Sequence, residues 1–101
     1  MHRMQLDALI TTAQEQGASD LHLEPGLPMA LRVRGTLRTA GQPLPGQMLF
    51  EVARELIDAE GWPHFVERRS FDLSRTIAGV RCRINVLHSA RGVGLDIRLL
   101  Y

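Results

Sequence analysis

The fold is decided by residues 71–100, FDLSRTIAGVRCRINVLHSARGVGLDIRLL, because they contain three strand patterns separated by two short turns. Apolar residues recur at alternate positions on both sides of each turn, which is the period of a strand that is buried on one face. The turn signals AG and SARG are too short for a crossover connection, so the three strands are predicted to pair antiparallel. The residues predicted to face the core are Phe71, Leu73, Ile77, Val80, Cys82, Ile84, Val86, Val93, Leu95, Ile97 and Leu99.

The first part of the chain is predicted to contain one helix and three strands. Residues 4–16 carry a helical apolar stripe, and residues 19–24, SDLHLE, alternate as a strand. Residues 29–40, MALRVRGTLRTA, also alternate, and Gly35 marks a bend or hairpin within them. Read as one alternation, this segment is predicted to point Leu31, Val33 and Leu37 inward and Arg32, Arg34 and Arg38 outward.

A second helix is predicted over residues 47–60, with a buried stripe formed by Leu49, Val52, Ala53, Leu56 and Ile57. Residues 62–69 are predicted to add a short helical piece anchored by Trp62, Phe65 and Val66. The element order is therefore α-β-β-β-α-β-β-β. It predicts an α+β fold in one domain, residues 1–101, with an antiparallel sheet of about five to six strands and the helices on one of its faces.

Composition restricts the function further. No apolar run of about 18 residues exists that could span a membrane, and a single cysteine, Cys82, favours a reducing, cytoplasmic setting. All twelve basic residues are arginine, so the chain cannot contain a phosphate-binding loop of the G-x-x-x-x-G-K-[ST] type. Net charge is +1, yet residues 70–101 hold five arginines against two acids.

Polar residues collect on the sheet face opposite the core. Alternation assigns to that face Asp20, His22, Glu24, Arg32, Arg34, Arg38, Arg81, Arg83, Asn85, Asp96 and Arg98. It is either a solvated face with cross-strand ion pairs, with Asp20, His22, Glu24 and Arg32 as one network, or a surface for anions. No outward aromatic ring is available to stack bases, which argues against nucleic-acid binding. The spacing of His22 and Glu24 is too unspecific to predict a metal site.

Two separated motifs resemble one protein family. GASDLHLEPG with LRVRGTLR (residues 17–26 and 31–38), followed by residues 71–100, is similar to segments of the pilus-retraction and type II–type IV secretion motor ATPases. The resemblance extends from about Leu6 to Leu100, and the twitching-motility, pilus-retraction type is the most similar. It implies a PAS-like amino-terminal domain, with the nucleotide motifs in a following RecA-like ATPase domain that is absent from this chain. The chain is then either a domain excised from a longer motor, which we favour, or a truncated relative.

The resemblance also implies roles. Arg83 and Arg98 match family arginines that reach nucleotide phosphates where this domain meets ATPase domains, and Arg81 and Arg91 are weaker candidates. No catalytic residue, metal or cofactor is expected in this chain, while ATP and Mg²⁺ belong to the parent motor, a homo-hexamer. That motor is expected in the cytoplasm, at the inner face of the inner membrane. A free-standing nucleic-acid-binding domain and a PAS-like small-ligand sensor are the alternatives.

Overall fold

The computed structural model describes the backbone of residues 2–101 and the side chains of residues 5–101. Its elements are α1 (His2–Glu15), β1 (Ala18–Leu23), β2 (Met29–Val33), β3 (Thr36–Ala40), α2 (Gly46–Leu56), α3 (Trp62–Arg68), β4 (Ser70–Ile77), β5 (Val80–Ser89) and β6 (Gly92–Leu100). Within these residues one six-stranded antiparallel sheet has the order β3-β2-β1-β6-β5-β4. The predicted α+β class and antiparallel pairing are confirmed, with the short piece after α2 forming a helix of its own.

The core lies between one face of the sheet and the helices. α1 packs on β1, and α2 packs on the central strand β6. The alternation predicted for β5 is confirmed, since Val80, Cys82, Ile84 and Val86 are all buried. Each fully buried Val, Leu or Ile side chain stabilises the fold by about 1.5–3 kcal/mol. No helix of the described residues covers the opposite face of the sheet, and this is the face that carries Arg32, Arg81, Arg83 and Arg98.

The hairpin of β2 and β3 corrects one prediction. Its turn has two residues, Arg34 and Gly35, with φ of 51° and 80°, as a type I′ turn requires. Because directly paired residues share a face, the pairing of Arg32 with Leu37 puts Leu37 on the polar face, where it is 55% exposed. Arg38 pairs with Leu31 and so belongs to the core side, at the sheet edge. The predictions for Leu37, Arg38 and Arg34 were therefore wrong, because a tight turn resets the alternation.

The helical region differs from the prediction in two details. α2 ends at Leu56 rather than near residue 60, although Ile57 beyond its end is still buried. Asp58 then forms a tight turn into α3 by accepting a hydrogen bond from the Gly61 backbone N–H through Oδ1 at 2.6 Å. In α3, Phe65 is buried as predicted, but Val66 is 58% exposed and anchors nothing. No helix in residues 2–101 is long and apolar enough to cross a bilayer.

Candidate functional site

An open groove of about 460 Å³ lies on the uncovered face of the sheet, over β1, β6, β5 and β4. Its polar lining consists of Asp20, His22, Asp72, Ser74, Arg83, Asn85, Asp96 and Arg98. Strand register arranges these side chains in rows that run across the sheet, because directly paired residues on neighbouring strands face the same way. Two such rows decide the chemistry of the groove.

The first row crosses all six strands and is cationic. In sheet order it contains Leu37, Arg32, Asp20, Arg98, Arg83 and Ser74, each paired directly with the next. Three arginines and one aspartate give the row a formal charge of +2. We call these residues the arginine row.

Asp20 and Arg98 form the ion pair of the arginine row. The Arg98 Nε–H donates to Asp20 Oδ1 at 3.0 Å, and the hydroxyl of Ser19 donates to Asp20 Oδ2 at 2.7 Å. Burial by itself raises the pKa of the Asp20 carboxyl, but the hydrogen bonds from Ser19 and Arg98 and the charge of Arg98 outweigh it, so the pKa lies below its usual 3.8. Asp20 is therefore ionised at neutral pH.

Arg83 lies directly opposite Arg98 on the neighbouring strand. Cβ atoms of directly opposed residues are about 4.5–5.5 Å apart, and like charges in that position destabilise a sheet. Among the described residues Arg83 has no hydrogen-bond or ion-pair partner. The Asp20 carboxylate is on the far side of Arg98, so the described residues give the Arg83 guanidinium no ion pair. Two guanidinium groups with open donors therefore face one end of the groove.

The second row lies two residues further along the strands, a separation of about 7 Å, and is acidic. It contains Thr39, Ala30, His22, Asp96, Asn85 and Asp72. His22 Nδ1 lies 2.8 Å from Asp96 Oδ1, and the Asn85 amide donates to Asp72 Oδ1 at 2.8 Å. With His22 neutral, the two aspartates give this acidic row a charge of −2.

The other predicted site residues lie apart from the opposed pair. Arg81 is two residues from Arg83 on the same strand and face, and donates to Thr76 Oγ1 at 3.4 Å. Arg91 is in the β5–β6 turn, about 20 Å along the strand from Arg83. Glu24 follows the end of β1 and is exposed, with no partner for its carboxylate among the described residues. Arg32 donates to the Gly35 carbonyl at 3.1 Å.

Two residues of the groove, Asp72 and Ser74, were not predicted. The signal was present, because Phe71 and Leu73 were assigned to the core and the residues between them must face the other way. Their partners on β5 could not be read from sequence, since pairing depends on register. Among side chains 5–101, no group of three or more His, Cys, Asp or Glu is placed to hold a metal ion.

The chemistry available to the groove is anion binding. Each of the two opposed guanidiniums is planar and carries several N–H donors, which suits phosphate and carboxylate oxygens. Ser74, paired with Arg83, adds a hydroxyl at the edge of the same row. The arrangement offers charge and hydrogen bonds to an oxyanion.

The chain was compared with known proteins by sequence and by structure. No family model matches the chain. Over 99 residues it is 32% identical to the type IV pilus retraction ATPase PilT of Pseudomonas aeruginosa, which includes 96% of this chain and 29% of that protein. The chain thus spans less than a third of the length of this curated relative.

Solved structures that resemble the fold include two motor ATPases. The pilus retraction motor PilT with bound ADP superimposes with a TM-score of 0.83 at 28% identity, over 94% of this chain and 29% of that one. The ATPase DotB of Legionella pneumophila gives a TM-score of 0.81 at 16% identity, over 98% of this chain and 29% of that one. At 16% identity the second likeness supports the fold alone.

Proposed function

We propose that this chain, a homologue of the amino-terminal part of the PilT-like secretion ATPases, is a non-catalytic domain of such a motor. In this role it presents Arg83 and Arg98 to the phosphates of a nucleotide held by a RecA-like ATPase domain. The chain itself has no lysine for a phosphate-binding loop. The nucleotide must therefore be held mainly by another domain.

The direct opposition of Arg83 and Arg98 carries this proposal. Two like charges side by side cost stability unless a third group, of opposite charge, arrives between them. A phosphate oxygen supplies that charge and accepts from both guanidiniums. Because both arginines stand on neighbouring strands of one sheet, their backbone positions are fixed relative to each other before the anion arrives.

The contribution to hydrolysis is electrostatic. An arginine placed near the γ-phosphate stabilises the charge that develops in the transition state, and such residues typically raise the rate by about 10³–10⁵-fold. Arg81, about 7 Å from Arg83 along the strand, can extend the contact to a neighbouring phosphate. Arg91 lies about 20 Å along the strand from Arg83 and is too distant to share that anion.

The assembly follows from the same proposal. The domain, PAS-like in architecture, packs against the ATPase domains of its own and of adjacent subunits in a cytoplasmic homo-hexamer. ATP draws the arginine row towards the neighbouring site, and hydrolysis releases it, so the domain moves as a rigid body. A nucleic-acid strand fits the groove poorly, because its phosphates would cross the acidic row, which holds Asp72 and Asp96.

The coding sequence downstream of the Tyr101 codon tests the proposal first, because the proposal expects the reading frame to continue there. It should encode a G-x-x-x-x-G-K-[ST] loop within the following domain. The protein that it encodes should be a hexamer in solution, measurable by mass photometry, and should hydrolyse ATP. A frame without a nucleotide-binding domain would contradict the proposed function.

A further inference from the structure

We infer that Asp20 is a positioning residue for the arginine pair: it holds Arg98 through Nε and thereby leaves both terminal nitrogens of that guanidinium available to an oxyanion. This role rests on the proposed function, because it assumes that phosphate binds between Arg83 and Arg98. It goes beyond that function by giving a role to Asp20, whose negative charge would by itself repel a phosphate.

Three arginines lie in one row with Asp20, but their side chains differ in their hydrogen-bond partners. Arg32 is paired with Asp20 from the other side, yet its Nη1 donates to the Gly35 carbonyl at 3.1 Å. Arg98 alone donates to Asp20, and it does so through Nε at 3.0 Å. Arg83, one strand further, has no partner among the described residues. The carboxylate therefore acts on a single arginine.

Asp20 is built to hold a fixed position. Its side chain is only 16% exposed, against 66% for Arg98, and its second oxygen accepts from the Ser19 hydroxyl at 2.7 Å. The register of β1 on β2 shifts between Ala18 and Asp20, so the strand is irregular next to this residue. A carboxylate fixed in this way can orient a long, exposed side chain that would otherwise sample many rotamers.

The atom that Asp20 binds matters. A carboxylate that accepted from both terminal nitrogens of Arg98 would occupy the fork that phosphate needs. Binding at Nε fixes the plane of the guanidinium instead and leaves that fork free. The ordering of Arg98 is then complete before the anion arrives, which lowers the entropic cost of binding.

The test uses pairs of substitutions that remove the same charge. Chain labelled with ¹⁵N is titrated with tripolyphosphate at constant ionic strength, and the Nε–H signals of Arg83 and Arg98 are followed by NMR. Asp20→Asn keeps an acceptor oxygen and Asp20→Ala does not, so Asp20→Ala should bind about 2- to 10-fold more weakly than Asp20→Asn. Without ligand, the Arg98 Nε–H should exchange with water faster in Asp20→Ala than in Asp20→Asn.

Asp96 supplies the control, because it is paired with His22 and Asn85 rather than with an arginine. Asp96→Asn and Asp96→Ala should bind tripolyphosphate equally. Equal affinities for Asp20→Asn and Asp20→Ala, with the unmodified chain still responding at Arg83 and Arg98, would overturn the positioning role alone. A response at Arg83 and Arg98 no larger than that of Arg34, in the β2–β3 turn, would overturn the phosphate site itself.

Discussion

The guanidinium of Arg75 joins the end of α2 to the edge strand β4, because its Nη2 donates to the carbonyl oxygen of Leu56 at 3.0 Å. The carbonyls of the last helical turn have no partner within the helix, and the helix dipole favours a cation there. Nη1 of the same side chain donates to the Ser74 carbonyl at 2.9 Å. Arg75 is thus a structural arginine, one strand away from Arg83, whose guanidinium has no partner among side chains 5–101.

This difference predicts unequal effects of substitution on the free energy of unfolding. Arg75→Gln should lower the free energy of unfolding by about 1–2 kcal/mol, because the Leu56 carbonyl loses a charged donor. Arg83→Gln, the matched change on β5, should alter it by less than about 0.5 kcal/mol, as expected for an exposed residue without partners. Urea denaturation of both variants measures this. Equal losses would show that Arg83 has a structural partner too.

Asp20 should make the stability of the chain depend on pH. Because its pKa is lowered in the folded state, its stabilising contribution is present above the unfolded pKa of about 3.9 and is lost as the pH falls through the folded value. Arg98 is mostly exposed, so solvent limits the effect to below about 1 kcal/mol. The difference in unfolding free energy between the unmodified chain and Asp20→Asn should shrink as the pH falls below about 4. A difference that stays constant would contradict the ion pair.

Gly94 should be required for the packing of β6 on β1. A Cβ at this position would lie 2.8 Å from the Leu23 carbonyl oxygen, which is backbone and cannot move aside. Gly94→Ala should therefore destabilise the chain by about 1–3 kcal/mol. Gly46→Ala is the control, since its Cβ would meet only Pro25 at 3.4 Å, and alanine favours the helix that begins there. Melting temperatures of the two variants should shift in opposite directions.

Cys82 should be inert to thiol reagents in the native chain, because it is fully buried among apolar side chains. Ser89→Cys, at the exposed end of the same strand, should react rapidly in the variant. Fast labelling of Cys82 under native conditions would mean that β5 is shifted by one residue. Such a shift would turn Arg83 into the core and remove the arginine row.

Local pattern was sufficient to predict the core strands and the existence of the polar face. Apolar residues alternate strictly in β5, at Val80, Cys82, Ile84 and Val86. In a strand buried on one face, strict alternation determines which side chains point into the core. It was insufficient for β3, because every residue from Thr36 to Thr39 is exposed there and no burial signal selects a face. The tight turn at Arg34 and Gly35 determined the face instead.

The candidate site, too, could be predicted only in part from the sequence. Resemblance to the motor ATPases selected Arg83 and Arg98, but their direct opposition depends on the register of β5 on β6, which no single strand encodes. The Asp20–Arg98 contact joins residues 78 positions apart in the chain. The Arg75–Leu56 contact has no sequence signal, because Arg75 occupies a core-side position of a strand and looks like an interruption of the pattern.

The central claim is that Arg83 and Arg98 act on phosphate in the assembled motor and do not hold this domain together. The variants that test it are Arg83→Ala and Arg98→Ala, with Arg34→Ala in the β2–β3 turn as the control. Arg83→Lys adds a second comparison, because an ammonium keeps the charge but loses the planar fork.

The most direct measurement is ATP turnover per folded full-length motor, set against the melting temperature of this chain, for each variant. Arg83→Ala should leave melting nearly unchanged, and Arg98→Ala should cost no more than the contribution of its ion pair with Asp20, below about 1 kcal/mol. Both changes should reduce turnover by about 10³-fold or more, with Arg83→Lys rescuing only in part and Arg34→Ala showing no loss. If the two alanine variants instead melt at much lower temperature while turnover per folded motor stays the same, these arginines are structural and the account is contradicted.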